Sequence, residues 1–261
     1  MYTKANLVND IKKLGIKPTD VISNHTSLKS VGEIETQDKT GAEVLIEALR
    51  ECVPNGLLAV PSHTYKNVRE EPVFDIRNTM PCIGAVPCAA VKMANEAYDR
   101  GDKTVIRSYH FTHSLVAFGK DAYDFTKDDR NATVTMPEEG CYGKLHRMGA
   151  KFLFIGVTLA CFTFGHYIDA RHPLSVQPTP FPVTGIDYDG TKQLRTVTRS
   201  VCVPPCSGRS ALYVQYEPFL KEAGALTYGK IGDADTIVCD AKIAYGVITQ
   251  LQGSGFCLEE E

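Results

Sequence analysis

Short apolar runs alternate with amphipathic segments along the first part of the chain, and this alternation limits the fold more than any other feature. Apolar residues recur at helical spacing over residues 40–53, and the turn PNG then leads into the apolar run LLAVPS. The clearest apolar run is KFLFIGV, at residues 151–157. Runs of this length between turn signals predict buried strands. Helices that alternate with buried strands predict a single α/β domain with three layers, in which helices cover both faces of a sheet.

The pattern changes in the second half of the chain. The segment PLSVQPTPFPVTG, at residues 173–185, is proline-rich and extended, and we interpret it as a crossing within one domain of residues 1–261. Residues 193–203 alternate as a strand does at a sheet edge or in a hairpin, so the C-terminal part should contain a smaller β structure. Two further expectations are a long polar loop over residues 62–82 and a last helix over residues 234–251.

Charge and cysteine content restrict the class of protein. The chain has 261 residues, 43% of them hydrophobic, and a formal net charge of -3, which disfavours a nucleic-acid surface. It has nine cysteines and no CxxC pair, which is typical of buried thiols in a reducing compartment. No apolar run approaches the length of a membrane span, and the N-terminus is an amphipathic helix without the core of a signal peptide. We therefore expect a cytoplasmic protein with neither a nucleic-acid nor a membrane partner.

The segment HTSLKSVG, at residues 25–32, follows a predicted strand. Small hydroxyl residues and a glycine at that position leave backbone N–H groups available to an anion or an amide. The segment matches neither a Walker loop nor GxGxxG. A polar turn between a strand and a helix is the competing interpretation.

The segment RSYHFTHS, at residues 107–114, combines an arginine with two histidines three residues apart. Arg107 can hold a phosphate or a buried carboxylate, and both histidines can face a ligand. Each histidine can equally be a buried structural residue. The sequence alone leaves this choice open.

The segment TFGHYIDARHP follows the strand KFLFIGV and places His166, Asp169 and His172 three residues apart. On a helix, this spacing puts the three side chains on one side. A histidine and an aspartate can act as a base and its orienting carboxylate, or all three residues can bind a metal. We rank the metal lower because zinc-binding histidines on helices are usually four residues apart, whereas these are six apart.

Taken together, these segments resemble the aminoglycoside 3-N-acetyltransferase family, also called the antibiotic N-acetyltransferases. The matching segments follow the family order and span nearly the whole chain: HTSLKSVG at 25–32, PSHT at 61–64, Phe74 to Gly84, RSYHFTHSLVAFG at 107–119, Thr163 with His166 and Asp169, CSG at 206–208, and Gly229 to Ala234. The resemblance implies the α/β fold peculiar to this family, with acetyl-CoA as the donor and no metal. It also implies direct transfer to an amine, without an acyl-enzyme.

An alkyl amine must lose a proton before it attacks, since its reference pKa is about 10.4. We expect His166 to take that proton and Asp169 to orient the ring. Backbone N–H groups near residues 27–32, or Ser108 and His113, would stabilise the oxyanion. The expected site residues are, for catalysis, His166, Asp169 and His113; for acetyl-CoA, Ser27, Leu28, Lys29, Ser30, Val31, Gly32, Ser108 and Ser114; and for the amine, Tyr65, Glu70 and Asp75.

Three departures from the family pattern leave the acceptor open. The family has a proline where this chain has Phe111 and a glutamate where it has Asp169, and the loop between Pro61 and Phe74 is unusually polar. The acceptor can be an aminoglycoside, a related amino sugar or a non-antibiotic amine. A metal-dependent hydrolase built on His166, Asp169 and His172, and a non-catalytic homologue that binds CoA or a sugar, remain alternatives. A homodimer is the expected assembly.

Overall fold

The computed structural model of the protein describes residues 1–171, 176–202 and 209–259. Within these residues the helices are α1 (Lys4–Lys13), α2 (Gly41–Cys52), α3 (Tyr65–Glu70), α4 (Ala85–Asp99), α5 (Ala122–Thr126), α6 (Cys141–Arg147), α7 (Thr163–Asp169), α8 (Arg209–Leu212), α9 (Glu217–Glu222) and α10 (Ala241–Gly253). The strands are β1 (Val21–Thr26), β2 (Leu57–Pro61), β3 (Val73–Asp75), β4 (Val105–Arg107), β5 (Leu115–Phe118), β6 (Lys151–Ile155), β7 (Val176–Ile186), β8 (Lys192–Cys202), β9 (Leu226–Ile231) and β10 (Ala234–Asp240).

A seven-stranded sheet forms the centre of the molecule, in the order β4-β5-β2-β1-β6-β10-β9. Strand β1 pairs in parallel with β2 on one side and with β6 on the other. The outer pairs are antiparallel. The carboxyl ends of β1, β2 and β6 therefore lie at one edge of the sheet. The chain leaves β1 to one side and returns on the other, and ligands bind at such switch points in open α/β sheets.

Alternating side chains of the central strands fill two separate apolar layers. In β2, Leu58 and Val60 face the layer that contains residues of α1, α2 and α4. Leu57 and Ala59 face the opposite layer, which contains residues of α5, α6, α7 and α10. A strand buried on both faces reads as a continuous apolar run, as LLAVP does. The three-layer α/β architecture predicted from the sequence is thus confirmed.

A smaller sheet, in the order β3-β7-β8, lies beside the central one and has its own apolar cluster. Strands β7 and β8 form a long antiparallel hairpin, from the pair Val176 and Cys202 to the pair Ile186 and Lys192. The predicted β structure of residues 193–203 is confirmed. The described part of the proline-rich segment is itself strand β7, and its partner β3 comes from the first half of the chain.

Two sequence expectations about secondary structure were wrong. Residues 234–240 form strand β10 between β6 and β9, and the last helix, α10, begins only at Ala241. Asp240 marks the change, since its carboxylate accepts hydrogen bonds from the N–H groups of Lys242 and Ile243 as an N-cap. The expected loop over residues 62–82 contains α3 and β3. None of the helices in the described ranges is both long and apolar enough to cross a membrane.

Candidate active site

Four histidines from distant parts of the chain meet at the carboxyl edge of the central sheet, and we call them the histidine site. His25 lies in β1, His63 follows β2, His113 precedes β5, and His166 lies on α7, the helix that follows β6. The ring centres of His25 and His63 are 6.3 Å apart, and those of His63 and His113 are 5.1 Å apart. His166 is near enough to His63 and His113 to lower the pKa of both when it is protonated.

His166 is hydrogen-bonded to a buried chain of polar groups. The hydroxyl of Tyr213 lies 2.8 Å from its Nδ1 and donates a 2.6 Å hydrogen bond to Asp169 Oδ2. Asp169 is 2% exposed and forms an ion pair with Arg209, whose Nε is 2.5 Å from Oδ2. Gln252 donates to the other carboxylate oxygen at 2.7 Å. The predicted pairing of His166 with Asp169 therefore runs through the hydroxyl of Tyr213.

The protonation state of His166 suits a general base. Burial lowers its pKa below the ordinary value of 6.5, while Asp169 opposes that fall. The imidazole is therefore neutral at neutral pH and has a lone pair ready to accept a proton. His166 is partly exposed, whereas Asp169 and Tyr213 beneath it are buried. The ring thus sits at the boundary between a buried polar network and the solvent-accessible side of the site.

Gly165 makes room for Tyr213. A Cβ atom at this position would lie only 2.7 to 2.9 Å from three carbons of the Tyr213 ring. The ring cannot move away easily, since it is fully buried and stacks on Tyr216 with centres 6.1 Å apart. The sequence GHYID on α7 thus provides both the histidine and the space for the group that contacts it.

His63 is held by a second buried tyrosine. Its Nε2 lies 2.8 Å from the hydroxyl of Tyr142 on α6. Burial lowers the pKa of His63 well below 6.5, and the neighbouring His25 adds to this effect. His25 is partly buried, and desolvation lowers its pKa to about 4. The histidine site is therefore largely uncharged at neutral pH.

Most of the segment RSYHFTHS serves the structure of the loop between β4 and β5. Arg107 is 1% exposed and donates to the carbonyl of Ile76, and burial lowers its pKa to about 10. Nδ1 of the buried His110 accepts the backbone N–H of His113 at 3.0 Å. This fixes the loop so that the partly exposed His113 stands beside His63. His113 is the member of the segment that the structure brings into the histidine site.

Two predicted acetyl-CoA residues of this loop are fully buried. The Ser108 hydroxyl accepts the N–H of Leu115 at 3.1 Å, and the Ser114 hydroxyl donates to the carbonyl of Ser62 at 2.8 Å. The first bond closes the loop onto the start of β5, and the second joins it to the residue after β2. A contact between either serine and acetyl-CoA remains a prediction.

The other predicted acetyl-CoA residues form a compact turn next to the histidine site. Leu28–Val31 is one turn of 3₁₀ helix, and the N–H of Ser27 donates to the carbonyl of Ile155 at the end of β6. The hydroxyls of Ser30 and Ser27 are 2.8 Å apart. Gly32 has a φ of +88°, and a Cβ there would lie 2.4 Å from the Asp233 carboxylate. This glycine therefore lets the chain turn away tightly from the sheet edge.

The three predicted amine-binding residues have different surroundings. Tyr65 is partly buried and stacks on His113, with ring centres 6.2 Å apart, so it borders the histidine site. Asp75 accepts the N–H groups of Arg77 and Asn78, each at 2.9 Å, and so stabilises its own turn. Glu70 is exposed at the end of α3. Of the three, the structure brings Tyr65 to the site.

Sequence reasoning missed the residues that orient the histidines. Tyr213, Arg209 and Gln252 lie 40 or more positions from the residues they contact, and no motif marks them. His63 appeared only as one letter of the PSHT match. Gly165 was the available signal, because a glycine inside a helix costs stability and suggests a close neighbour.

The metal hypothesis involves a residue outside the described ranges, His172, as the CSG match at 206–208 also does. Among the residues that the structure describes, no group of three histidine, cysteine or acidic side chains is arranged to hold a metal ion. His63 and His166 instead bond to tyrosines, and His110 bonds to the backbone.

The fold and the histidine site define an α/β protein with a ring of uncharged imidazoles at the switch point of its sheet. The chain belongs to the aminoglycoside 3-N-acetyltransferase family, whose sequence profile matches residues 24–252. The resemblance stated from the sequence is thereby confirmed.

Curated and solved relatives agree with this assignment. Aminoglycoside N(3)-acetyltransferase III of a Salmonella species is 27% identical over 180 residues, which cover 65% of this chain and 61% of that protein. The match thus spans about three fifths of its length. The structure titled AAC-IIIb binary with CoASH has a TM-score of 0.80 at 22% identity and covers 100% of this chain and 99% of that one. AAC-VIa bound to sisomicin has a TM-score of 0.79 at 18% identity, with coverages of 97% and 98%. At such identities the two structures establish the fold.

Proposed function

We propose that the protein is an N-acetyltransferase that moves the acetyl group of acetyl-CoA to an amine of an aminoglycoside or a related amino sugar, with His166 as general base. The observation that carries this proposal is the His166 ring, held at Nδ1 by the Tyr213 hydroxyl beside the carboxyl edge of the sheet. The relatives support the substrates, since one related structure contains CoA and another an aminoglycoside.

The reaction follows from the state of His166. The acceptor binds as an ammonium ion, and the neutral imidazole removes one proton so that the nitrogen gains a free lone pair. The nitrogen then attacks the thioester carbonyl, the C–N bond forms, and the C–S bond breaks as the tetrahedral intermediate collapses. The imidazolium returns its proton to the departing CoA sulfur, and the nitrogen, which became cationic on attack, releases its second proton to water, so the products are the amide, CoASH and one proton. Transfer is direct, and no covalent acyl-enzyme is needed.

The turn at residues 28–31 is our candidate for holding the donor. The first N–H groups of a short helix have no acceptor within the helix, so those of Leu28 and Lys29 can donate to an oxyanion or to the pantetheine amide. The ammonium of Lys29 is exposed and can pair with the CoA phosphates. His113, on the opposite side of His63, is the second candidate donor to the oxyanion.

An amine with few positive charges is the second candidate acceptor, and the charges around the histidine site favour it. The lowered pKa of His113 arises chiefly from burial, with smaller contributions from neighbouring histidines and from the cationic Arg69. Asp169, next to His166, and Asp75, a predicted amine-binding residue, are the carboxylates most expected to bind a cationic ligand. Both already have partners: Asp169 pairs with Arg209, and Asp75 accepts N–H groups of its own turn. A polycationic drug would need carboxylates to balance its charge, whereas a monoamine would not.

Assembly and compartment complete the proposal. We place the enzyme in the cytoplasm, since the seven cysteines whose side chains the structure describes are all free thiols, as is usual in a reducing compartment. We propose a homodimer, which sedimentation equilibrium on the purified chain would test.

The deciding experiment follows thiol release from acetyl-CoA with a colorimetric reagent, over a panel of aminoglycosides, amino sugars and monoamines. We expect amine-dependent release that falls by roughly 10²- to 10⁴-fold in His166→Ala, the usual contribution of a general base. His146→Ala is the matched control, because that imidazole stacks on Tyr245, with ring centres 3.9 Å apart, outside the histidine site. Equal rates for His166→Ala and the wild type would overturn the role of the base. The amine that supports release separates the two acceptor classes.

A further inference from the structure

We propose that Tyr213 is a positioning residue that fixes the proton of neutral His166 on Nδ1 and leaves the lone pair of Nε2 for the substrate. The proposal rests on the proposed function in that it names the group that prepares the base. Its physical content, the tautomer of one histidine, does not depend on any turnover.

The proton positions follow from what each group can donate. An ionised carboxylate only accepts hydrogen bonds, so the 2.6 Å contact between Tyr213 and Asp169 uses the tyrosine hydroxyl proton. The tyrosine oxygen can then only accept in its 2.8 Å contact with His166. Nδ1 must therefore carry the hydrogen. A neutral imidazole has a single N–H, so Nε2 is unprotonated.

The carboxylate at the far end of the chain keeps this direction fixed. Arg209 donates to both oxygens of Asp169, at 2.5 and 3.1 Å, and Gln252 donates to Oδ1 at 2.7 Å. Each of these described neighbours is a donor, so Asp169 is the acceptor in all of these contacts. The hydroxyl proton of Tyr213 therefore points towards Asp169.

The surroundings of Tyr213 hold its ring in place next to His166. It is fully buried, its ring packs against Tyr216, and the missing side chain of Gly165 leaves space for it next to His166. The family pattern has a glutamate where this chain has Asp169. The aspartate is one methylene shorter, and the hydroxyl of Tyr213 occupies the distance between carboxylate and imidazole. Tyr213 thus restores a connection that the shorter side chain alone would weaken.

The test is the ¹⁵N spectrum of the histidine rings in the full-length protein, labelled only at histidine. A ring nitrogen that carries a proton and one that does not have very different ¹⁵N chemical shifts, so the spectrum shows directly which tautomer is present. His166→Gln assigns the signal of His166. In the wild type we expect protonated Nδ1 and unprotonated Nε2. In Tyr213→Phe, which keeps the ring and loses the hydroxyl, we expect Nε2 to become protonated in a substantial fraction of molecules.

Two variants act as controls. Tyr167, on α7, is also a fully buried tyrosine, but its hydroxyl contacts Glu138 and not His166. Tyr167→Phe should therefore leave the His166 signal unchanged. Asp169→Asn keeps the shape but allows the amide to donate to Tyr213, so the tautomers should mix as they do in Tyr213→Phe. A wild-type His166 protonated on Nε2 would overturn the proposal. So would a Tyr213→Phe spectrum identical to that of the wild type.

Kinetics separate this proposal from the proposed function. If the chain is the acetyltransferase, Tyr213→Phe should lower kcat by roughly 10- to 100-fold with little change in KM for acetyl-CoA, since orientation of the base is lost while binding remains. The acid limb of kcat/KM should also move to lower pH, because the imidazolium loses its link to Asp169. A wild type with the expected tautomer and no acetyl transfer would refute the function and uphold the role of Tyr213. Acetyl transfer that is unchanged in Tyr213→Phe would refute that role alone.

Discussion

Replacing Gly165 by alanine tests whether the space beside Tyr213 is as tight as the structure shows. The added methyl would lie 2.7 to 2.9 Å from three ring carbons, where ordinary contact begins near 3.4 Å. Extra methyl groups in packed cores cost roughly 1–3 kcal/mol of unfolding free energy. Alanine also stabilises a helix relative to glycine by about 1 kcal/mol. We therefore expect Gly165→Ala to range from neutral to about 2 kcal/mol less stable than the wild type, by the difference of these two effects.

Gly246→Ala isolates the helix contribution, because a Cβ on that glycine of α10 meets nothing within 4 Å. In urea unfolding, the free energy of unfolding of Gly165→Ala should be roughly 1–3 kcal/mol lower than that of Gly246→Ala. This difference measures the crowding against Tyr213 alone, because the helix contribution is the same in both variants. Since His166 follows Gly165 directly, the acetyl-transfer rate of Gly165→Ala should also fall, by roughly 10- to 100-fold for a displacement approaching 1 Å. Equal gains in stability for the two variants, with activity retained, would refute the packing around Tyr213.

Three further results should follow from charges described here. Arg209→Met leaves the Asp169 carboxylate buried without its ion-pair partner and should lower the free energy of unfolding by roughly 3–5 kcal/mol, measured in urea. Lys4→Met, which breaks an exposed ion pair with Glu51, should change it by less than about 1 kcal/mol. Similar losses in the two variants would refute the burial of the Arg209–Asp169 pair. The Glu43 pKa falls to about 2, chiefly because the Thr40 backbone N–H donates to it, so the stability lost in Glu43→Gln at pH 7 should vanish as pH falls from 4.5 towards 2; a constant difference across that range would contradict the cap. The His25 pKa is lowered to about 4 by burial, so this residue contributes stability above pH 6.5 that is lost as pH falls towards 4. Thermal melts of His25→Gln should then depend less on pH over that interval than melts of the wild type.

Strands β2 and β6 of the central sheet were predictable because they are buried on both faces and read as nearly uninterrupted apolar runs. KFLFI and LLAVP are short, almost wholly apolar runs bounded by turn signals, and this length and these flanks favour a buried strand over a buried helix. ADTIVCD was misread because four apolar side chains in seven positions, followed by more apolar residues, fit a helix as well as a strand. Only pairing with β6 and β9 decides between them. That information lies in contacts far along the chain.

The candidate site was predictable to the extent that it follows strands. His25, His113 and His166 come directly from segments whose position at the sheet edge the strand pattern specifies. Tyr213 does not, because its place beside His166 depends on how residues 209–216 fold back over α7. The contact between Asp169 and His166 looked direct from a spacing of three, yet side-chain length and the gap left by Gly165 admit a third group. Spacing specifies a shared helix face but not what stands between two side chains.

The parallel pairing of β1 with β6 has a consequence for biosynthesis. Strand β1 ends at Thr26, and the strand that covers its second edge begins only at Lys151. At usual elongation rates of 5–20 residues per second, β6 leaves the ribosome on the order of 10 s after β1. Throughout that interval one edge of β1 presents unpaired amides and carbonyls, and such an edge pairs readily with a neighbouring nascent chain. The yield of folded protein should therefore rise when synthesis is dilute and chaperones are abundant.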